Sequence, residues 1–126
     1  MAVIASILVA LAALLHGAIF LMESVWWTRP STWKRFGVAD QAQADTTRPM
    51  AYNQGFYNLF LGIGAAIGLV LFWSGAEEAG TALVLFTTAC MALAAAVLTT
   101  TGRGYWRPAL VQGVLPLAGF VLFLFA

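Results

Sequence analysis

Four stretches of this chain, 2–22, 51–73, 80–98 and 109–125, are nearly unbroken apolar runs, and the polar residues collect in the three connections between them. A helix needs roughly 20 apolar residues to cross a hydrocarbon core about 30 Å thick. The four runs are therefore expected to be membrane-spanning helices. Only one ionisable residue, His16, interrupts the first of them. The last is the shortest and contains Pro116, which a membrane helix tolerates because neighbouring groups satisfy the freed carbonyl. A cleaved signal peptide is the competing reading of the first run. No Lys or Arg precedes it, it is too long, and no small-residue cleavage site leads into a soluble domain, so it is expected to stay in the membrane.

Composition agrees with the pattern. Hydrophobic residues make up 62% of the 126 positions and charged residues 9%, with a mean hydropathy of +0.89. A soluble domain of this size has no interior large enough to hide so much apolar surface. The expected fold is an all-α membrane protein, a single domain over 1–126 built as a four-transmembrane-helix bundle. An interfacial segment is expected in the first connection, where Trp26, Trp27, Trp33 and Phe36 are interleaved with Arg29, Lys34 and Arg35. Ser31, after Pro30, is the expected N-cap of a short helix there, and Asp45 or a neighbouring threonine the expected cap of the second span, with Pro49 in its first turn. The polar stretch "ADQAQADTTRP" between them reads equally as loop or helical extension. Cys90 lies within the third span, is the chain's one cysteine, and has no disulfide partner in the chain.

Charge sets an expected orientation. All 6 Lys and Arg residues fall in the first connection (Arg29, Lys34, Arg35, Arg48) and the third (Arg103, Arg107), whereas the second holds Glu77 and Glu78. The positive-inside rule then puts the first and third connections in the cytoplasm and both termini outside a cytoplasmic (inner) membrane. A net charge of +1 from scattered cations gives no phosphate-binding stripe, so a nucleic-acid partner is not expected; the cations read as topology determinants, with contact to anionic lipid as a second use.

The polar residues inside the spans share a depth. His16 and Glu23 are about 20° from eclipsed on one regular helix face, with Trp27 one further turn along the same stripe. The second span opens with "NQGFYN", where Asn53, Gln54, Tyr57 and Asn58 form one polar arc. Thr99, Thr100 and Thr101 end the third span at that level, and the fourth begins after Tyr105 and Trp106 and carries Gln112 in its second turn. Ionisable and amide groups in hydrocarbon are costly unless they face each other or a wet cavity, which makes them functional candidates. Taken singly, each is equally well read as interhelical glue or an interfacial anchor, with Glu23 pairing Arg29 or Arg107.

The chemistry open to this set is limited. One histidine and one carboxylate do not complete a zinc or iron shell, so neither a metal nor another cofactor is expected. There is no convincing Ser–His or Cys–His pair, and the glycines at 62, 64 and 68 lie inside a helix and make no phosphate loop. Small residues four apart, Ala13 and Gly17, Gly64 and Gly68, Ala92 and Ala96, mark close-packing faces within one chain or between the copies of a homo-oligomer.

The segments "HGAIFLME", "NQGFYNLFLGIG" and "VQGVLP" together resemble the family of small four-helix membrane proteins known as domain of unknown function 1304. The resemblance runs over essentially the whole chain and rests on His16, Glu23, Asn53, Gln54, Gly55, Tyr57, Asn58, Gln112, Gly113 and Pro116. It implies the four-helix architecture and brings no activity with it. A looser likeness, of architecture and residue types alone, is to EXPERA-type membrane isomerases and sterol-binding proteins.

The expected function is capture of a membrane lipid or another small amphipathic molecule in a cytoplasm-facing cavity lined by Trp27, Asn53, Gln54, Tyr57, Asn58 and Gln112. If catalysis occurs there, His16 and Glu23 are the groups to exchange protons with the substrate. Two alternatives stay open, a small oligomeric transporter or channel and a structural subunit of a membrane complex. The nearly apolar outer half, in which Ser6 is the exception, argues against a continuous polar route through one chain.

Overall fold

The computed structural model describes all 126 residues, and every regular element in it is helical. Helix α1 (Ala2–Phe20) runs directly into a π-helical turn, Leu21–Val25. A short helix α2 (Pro30–Trp33) and a 3₁₀ turn (Lys34–Phe36) follow, then α3 (Gln41–Trp73), α4 (Glu77–Leu98) and α5 (Trp106–Phe123). Four stretches are long and apolar enough to cross a membrane: Ala2–Val25, Gln41–Trp73, Glu77–Leu98 and Trp106–Phe123. Between 22% and 28% of each most apolar window is buried inside the protein. The remaining apolar surface, including Ile4, Ile7, Phe60, Ile67, Phe86, Leu93 and Leu117, faces outward. Only a lipid environment accommodates that arrangement, and the chain is a multi-pass integral membrane protein.

Several boundaries differ from the hydropathy reading. The second span begins ten residues before 51, because the polar stretch is a helical extension of α3. Its N-cap is Asp40, whose Oδ1 accepts the Gln43 amide at 2.8 Å, while Asp45 Oδ1 accepts from the Gln41 side chain and Pro49 lies inside the helix. In α2 the N-cap is Arg29, in an extended conformation without a side-chain cap bond, and Ser31 lies within the helix after Pro30.

The chain divides into two compact units, one of Met1–Leu15 with Leu61–Ala126, the other of His16–Phe60. The first unit contains the large core, formed by Ala5, Val9, Ala12, Ala65, Val84, Met91 and Phe123. Small residues let its backbones approach closely, since lipid leaves no hydrophobic drive between helices. A Cβ on Gly64 would stand 2.8 Å from the Thr87 methyl, and one on Gly68 would meet Val84 and the Gly80 carbonyl. A Cβ on Gly80 would collide with the Phe72 backbone. Gly113 approaches Ala95 of α4, and Gly119 approaches Val9 of α1. The α4 face buried here carries Met91 and Ala95, whereas Ala92 is half-buried and Ala96 exposed, so within one chain the close-packing face lies one position from the Ala92 and Ala96 pair. Thr87 and Thr88 are buried in the same core and return their hydroxyl protons to carbonyls one turn back, so they add no unsatisfied donor. Phe72 packs edge-on against Phe123 at 4.9 Å, and the Trp73 indole donates to Ser6 Oγ at 3.0 Å.

The second unit is held by aromatic and polar contacts. Phe20 meets Phe56 edge-on at 5.1 Å, and Tyr52 lies 4.9 Å from Phe56. The indole of Trp27 donates to the Ala44 carbonyl at 3.0 Å, and that of Trp33 to Gln41 Oε1 at 3.0 Å. Gln41 in turn donates to the Thr28 carbonyl. These bonds tie the first connection to the largely polar extension of α3 and explain why it stays helical.

Candidate functional site

Along α1 and its continuation, the buried positions fall at 5, 9, 12, 16, 19, 23 and 27. Spacings of three and four residues define one face of a helix. In the second unit that face carries His16 at 2% exposure, Glu23 at 6% and Trp27 at 9%. An ionisable pair therefore occupies positions that alanine and valine fill earlier in the same helix.

The π turn positions the carboxylate. The Trp26 amide donates to the Leu21 carbonyl at 2.9 Å, a bond spanning five residues. Such a turn is wider than an α-helical one, so consecutive side chains diverge less around the axis. Glu23 and Ser24 consequently both reach α3. Asn58 Nδ2 donates to Glu23 Oε1 at 3.0 Å and also to the Gln54 carbonyl at 3.1 Å. Ser24 Oγ donates to the Tyr52 carbonyl at 2.8 Å. Gly55 lies directly under Ser24, where a Cβ would collide with the Ser24 hydroxyl. Glycine is thus required for the approach that lets Asn58 meet Glu23.

The polar arc of α3 is split by this geometry. Asn58 is half-buried and turned to Glu23, whereas Asn53, Gln54 and Tyr57 are exposed, Tyr57 to 69%. Trp27 is committed to Ala44 and, at 3.3 Å, to Thr47 Oγ1. Gln112 belongs to the first unit and is half-buried on α5. Within the second unit the structure thus pairs Glu23 with Asn58 and buries His16 and Trp27 on the same helical face. Every side-chain nitrogen or oxygen sealed inside the protein has a hydrogen-bond partner. The carboxylate is not an arginine's partner: the Arg29 guanidinium stacks over Trp26 at 5.2 Å and that of Arg107 over Trp106 at 5.2 Å. No three His, Cys, Asp or Glu side chains come together as a metal shell would require.

A separate feature of the second unit was missed at the level of sequence. A cavity of about 270 Å³ is lined by Met22, Trp26, Arg29, Ser31, Thr32 and Arg35. The stretch from 29 to 35 reads along the chain as an interfacial segment with topology-setting charges. The signal that could have revealed more is the placement of two hydroxyls between two arginines at a span end.

A family model described as "Protein of unknown function (DUF1304)" matches residues 10–124. No curated protein and no solved structure matches the chain.

Proposed function

From the premise that this chain belongs to the DUF1304 family, we propose that it captures a small amphipathic molecule from the membrane and holds the polar end at the Glu23–Asn58 pair. The observation that carries this reading is a carboxylate at 6% exposure, on a π turn, whose hydrogen-bond partner is a neutral amide. An acidic side chain within a span costs on the order of 2.5–3.5 kcal/mol at mid-bilayer and less toward the interface. A single interhelical amide contact returns only about 0.6 kcal/mol. An aliphatic residue at 23 would serve packing better, so the retained carboxyl group supports a role with a ligand.

In this role Oε1 is held by Asn58 and Oε2 is the atom offered to a donor on the ligand, such as a hydroxyl, amine or amide N–H. His16, about two turns along the same buried face, is the second group able to exchange a proton. Asn53, Gln54 and Tyr57, exposed within about one and a half turns of Asn58, meet the molecule as it arrives from the surrounding membrane. The end of the protein that holds all 6 basic residues, in the first and third connections and in the adjoining starts of α3 and α5, faces the cytoplasm of an inner membrane, and the site lies toward that side.

Purification in native lipid discs, followed by mass spectrometry of bound small molecules, tests the capture. A polar amphiphile retained by the wild type is expected to be lost from Glu23→Gln and Asn58→Ala while helix content is unchanged. Identical small-molecule content in all three proteins would sink the reading. Orientation is tested separately in a Cys90→Ala background. A cysteine at Lys34 should react with an impermeant thiol reagent only from the cytoplasmic face, and one at Glu77 only from the opposite face.

A further inference from the structure

The geometry points to the cavity lined by Met22, Trp26, Arg29, Ser31, Thr32 and Arg35 as a binding site for a phosphate group, the group carried by the headgroup of an anionic phospholipid. This inference goes beyond the capture site, uses none of its residues, and stands whether or not Glu23 binds a ligand.

Four observations converge on it. First, the polar lining is made of donors alone in charge terms: two guanidiniums and two hydroxyls, with no carboxylate. Arginine presents a planar fork that matches phosphate oxygens two at a time, and a serine or threonine hydroxyl supplies a further donor. Second, these donors are not consumed within the protein. The nearby acids serve elsewhere, Asp40 as a helix cap and Asp45 as acceptor for Gln41, and both arginines are exposed. Third, Arg29 is already oriented. Its guanidinium stacks on the Trp26 ring at 5.2 Å, and Trp26 itself lines the cavity. A guanidinium lying over a ring face is held near it while its N–H groups stay donors for an anion. Fourth, Thr32 is buried to 6% exposure, yet its hydroxyl is not sealed away without a partner, because no sealed and unpartnered side-chain oxygen exists in the chain. Thr32 lines the cavity.

The position in the chain adds the source of the phosphate. Met22 and Trp26 end the first membrane span, and the arginines follow in the connection. Tryptophan at a span end lies at headgroup depth, where the phosphates of the adjoining leaflet are found. Basic pockets beside span ends are a recurrent means of holding anionic headgroups. Met22 supplies the apolar wall against which the glycerol end of such a lipid packs.

The test reconstitutes the full chain in phosphatidylcholine discs carrying a minor fraction of phosphatidylglycerol and counts retained lipids by native mass spectrometry. Arg29→Gln/Arg35→Gln removes two charges from the cavity. Lys34→Gln/Arg48→Gln removes two charges from the same unit, neither of which lines the cavity. Retention of phosphatidylglycerol is expected to fall on the order of tenfold in the first double variant and to stay near wild type in the second. Thr32→Val, which retains shape and charge, is expected to weaken retention by a smaller factor and guards against misfolding of the arginine variant. A parallel titration with inorganic phosphate, followed by phosphorus NMR, separates the sources. Binding of free phosphate with the same residue dependence and no lipid preference assigns the site to a soluble anion. Equal losses in both double variants, or no loss in either, overturn the site.

Discussion

The two units of this protein use one helical face in opposite ways. In the unit of Met1–Leu15 and Leu61–Ala126, the buried face of α1 carries Ala5, Val9 and Ala12, and glycines on α3, α4 and α5 bring the backbones together. In the unit of His16–Phe60 the same three- and four-residue spacing continues with His16, Ile19, Glu23 and Trp27. The first solution is ordinary membrane packing, in which close approach yields dispersion contacts that lipid cannot match. The second places costly groups where small apolar ones would suffice. The difference teaches that burial along α1 follows a periodic face, while that face carries small apolar residues in one unit and ionisable ones in the other.

The comparison breaks most readily at the glycines. Gly80→Ala is expected to destabilise the chain by about 1–3 kcal/mol, because its Cβ would meet the Phe72 backbone, which has no rotamer by which to yield. Gly17→Ala, where nothing lies within 4 Å, is expected to be neutral or slightly stabilising. Thermal unfolding in one detergent measures both, and equal effects would remove the close-approach argument.

A smaller effect is expected from Trp27→Phe. Losing the indole donor to Ala44 and Thr47 should cost about 1 kcal/mol and speed amide hydrogen exchange across residues 41–50, leaving exchange in α4 and α5 as in the wild type. Unchanged exchange in that extension would mean the bond does not hold it.

The smallest energetic effect should be at the polar pair itself. A double-mutant cycle of Glu23→Ala and Asn58→Ala is expected to give a coupling of roughly 0.6 kcal/mol, the ordinary value for a polar contact between membrane helices. A coupling of several kcal/mol would make Glu23 a structural residue after all, and the contrast between the two units would shrink to two ways of packing.

Much of the architecture was legible along the chain, and the failures are instructive. The four spans announce themselves through hydropathy, and Gly64 with Gly68 marks a real packing face. The helical extension from Gln41 does not announce itself, because its polar residues give no periodic signal and Pro49 imitates a first-turn residue. Its helicity comes from bonds to Trp27, Trp33 and Thr28, all contributed from elsewhere in the chain. At the candidate site, the depth and face of His16 and Glu23 follow from spacing alone. That Asn58 and not Tyr57 meets Glu23 does not, since an arc of about 140° on a helix cannot specify which edge faces a neighbour.

Residue chemistry settled the membrane environment, the number of spans and the presence of ionisable groups within the first of them. Transfer free energy accumulates residue by residue, so its sum over some twenty positions is decided before any tertiary contact forms. Packing settled the π turn, the approach of Gly55 beneath Ser24, the choice of Asn58 as partner, and the gathering of Arg29, Ser31, Thr32 and Arg35 around one cavity. These depend on distances between residues remote along the chain or brought round by a turn, and such distances exist only once the helices have met.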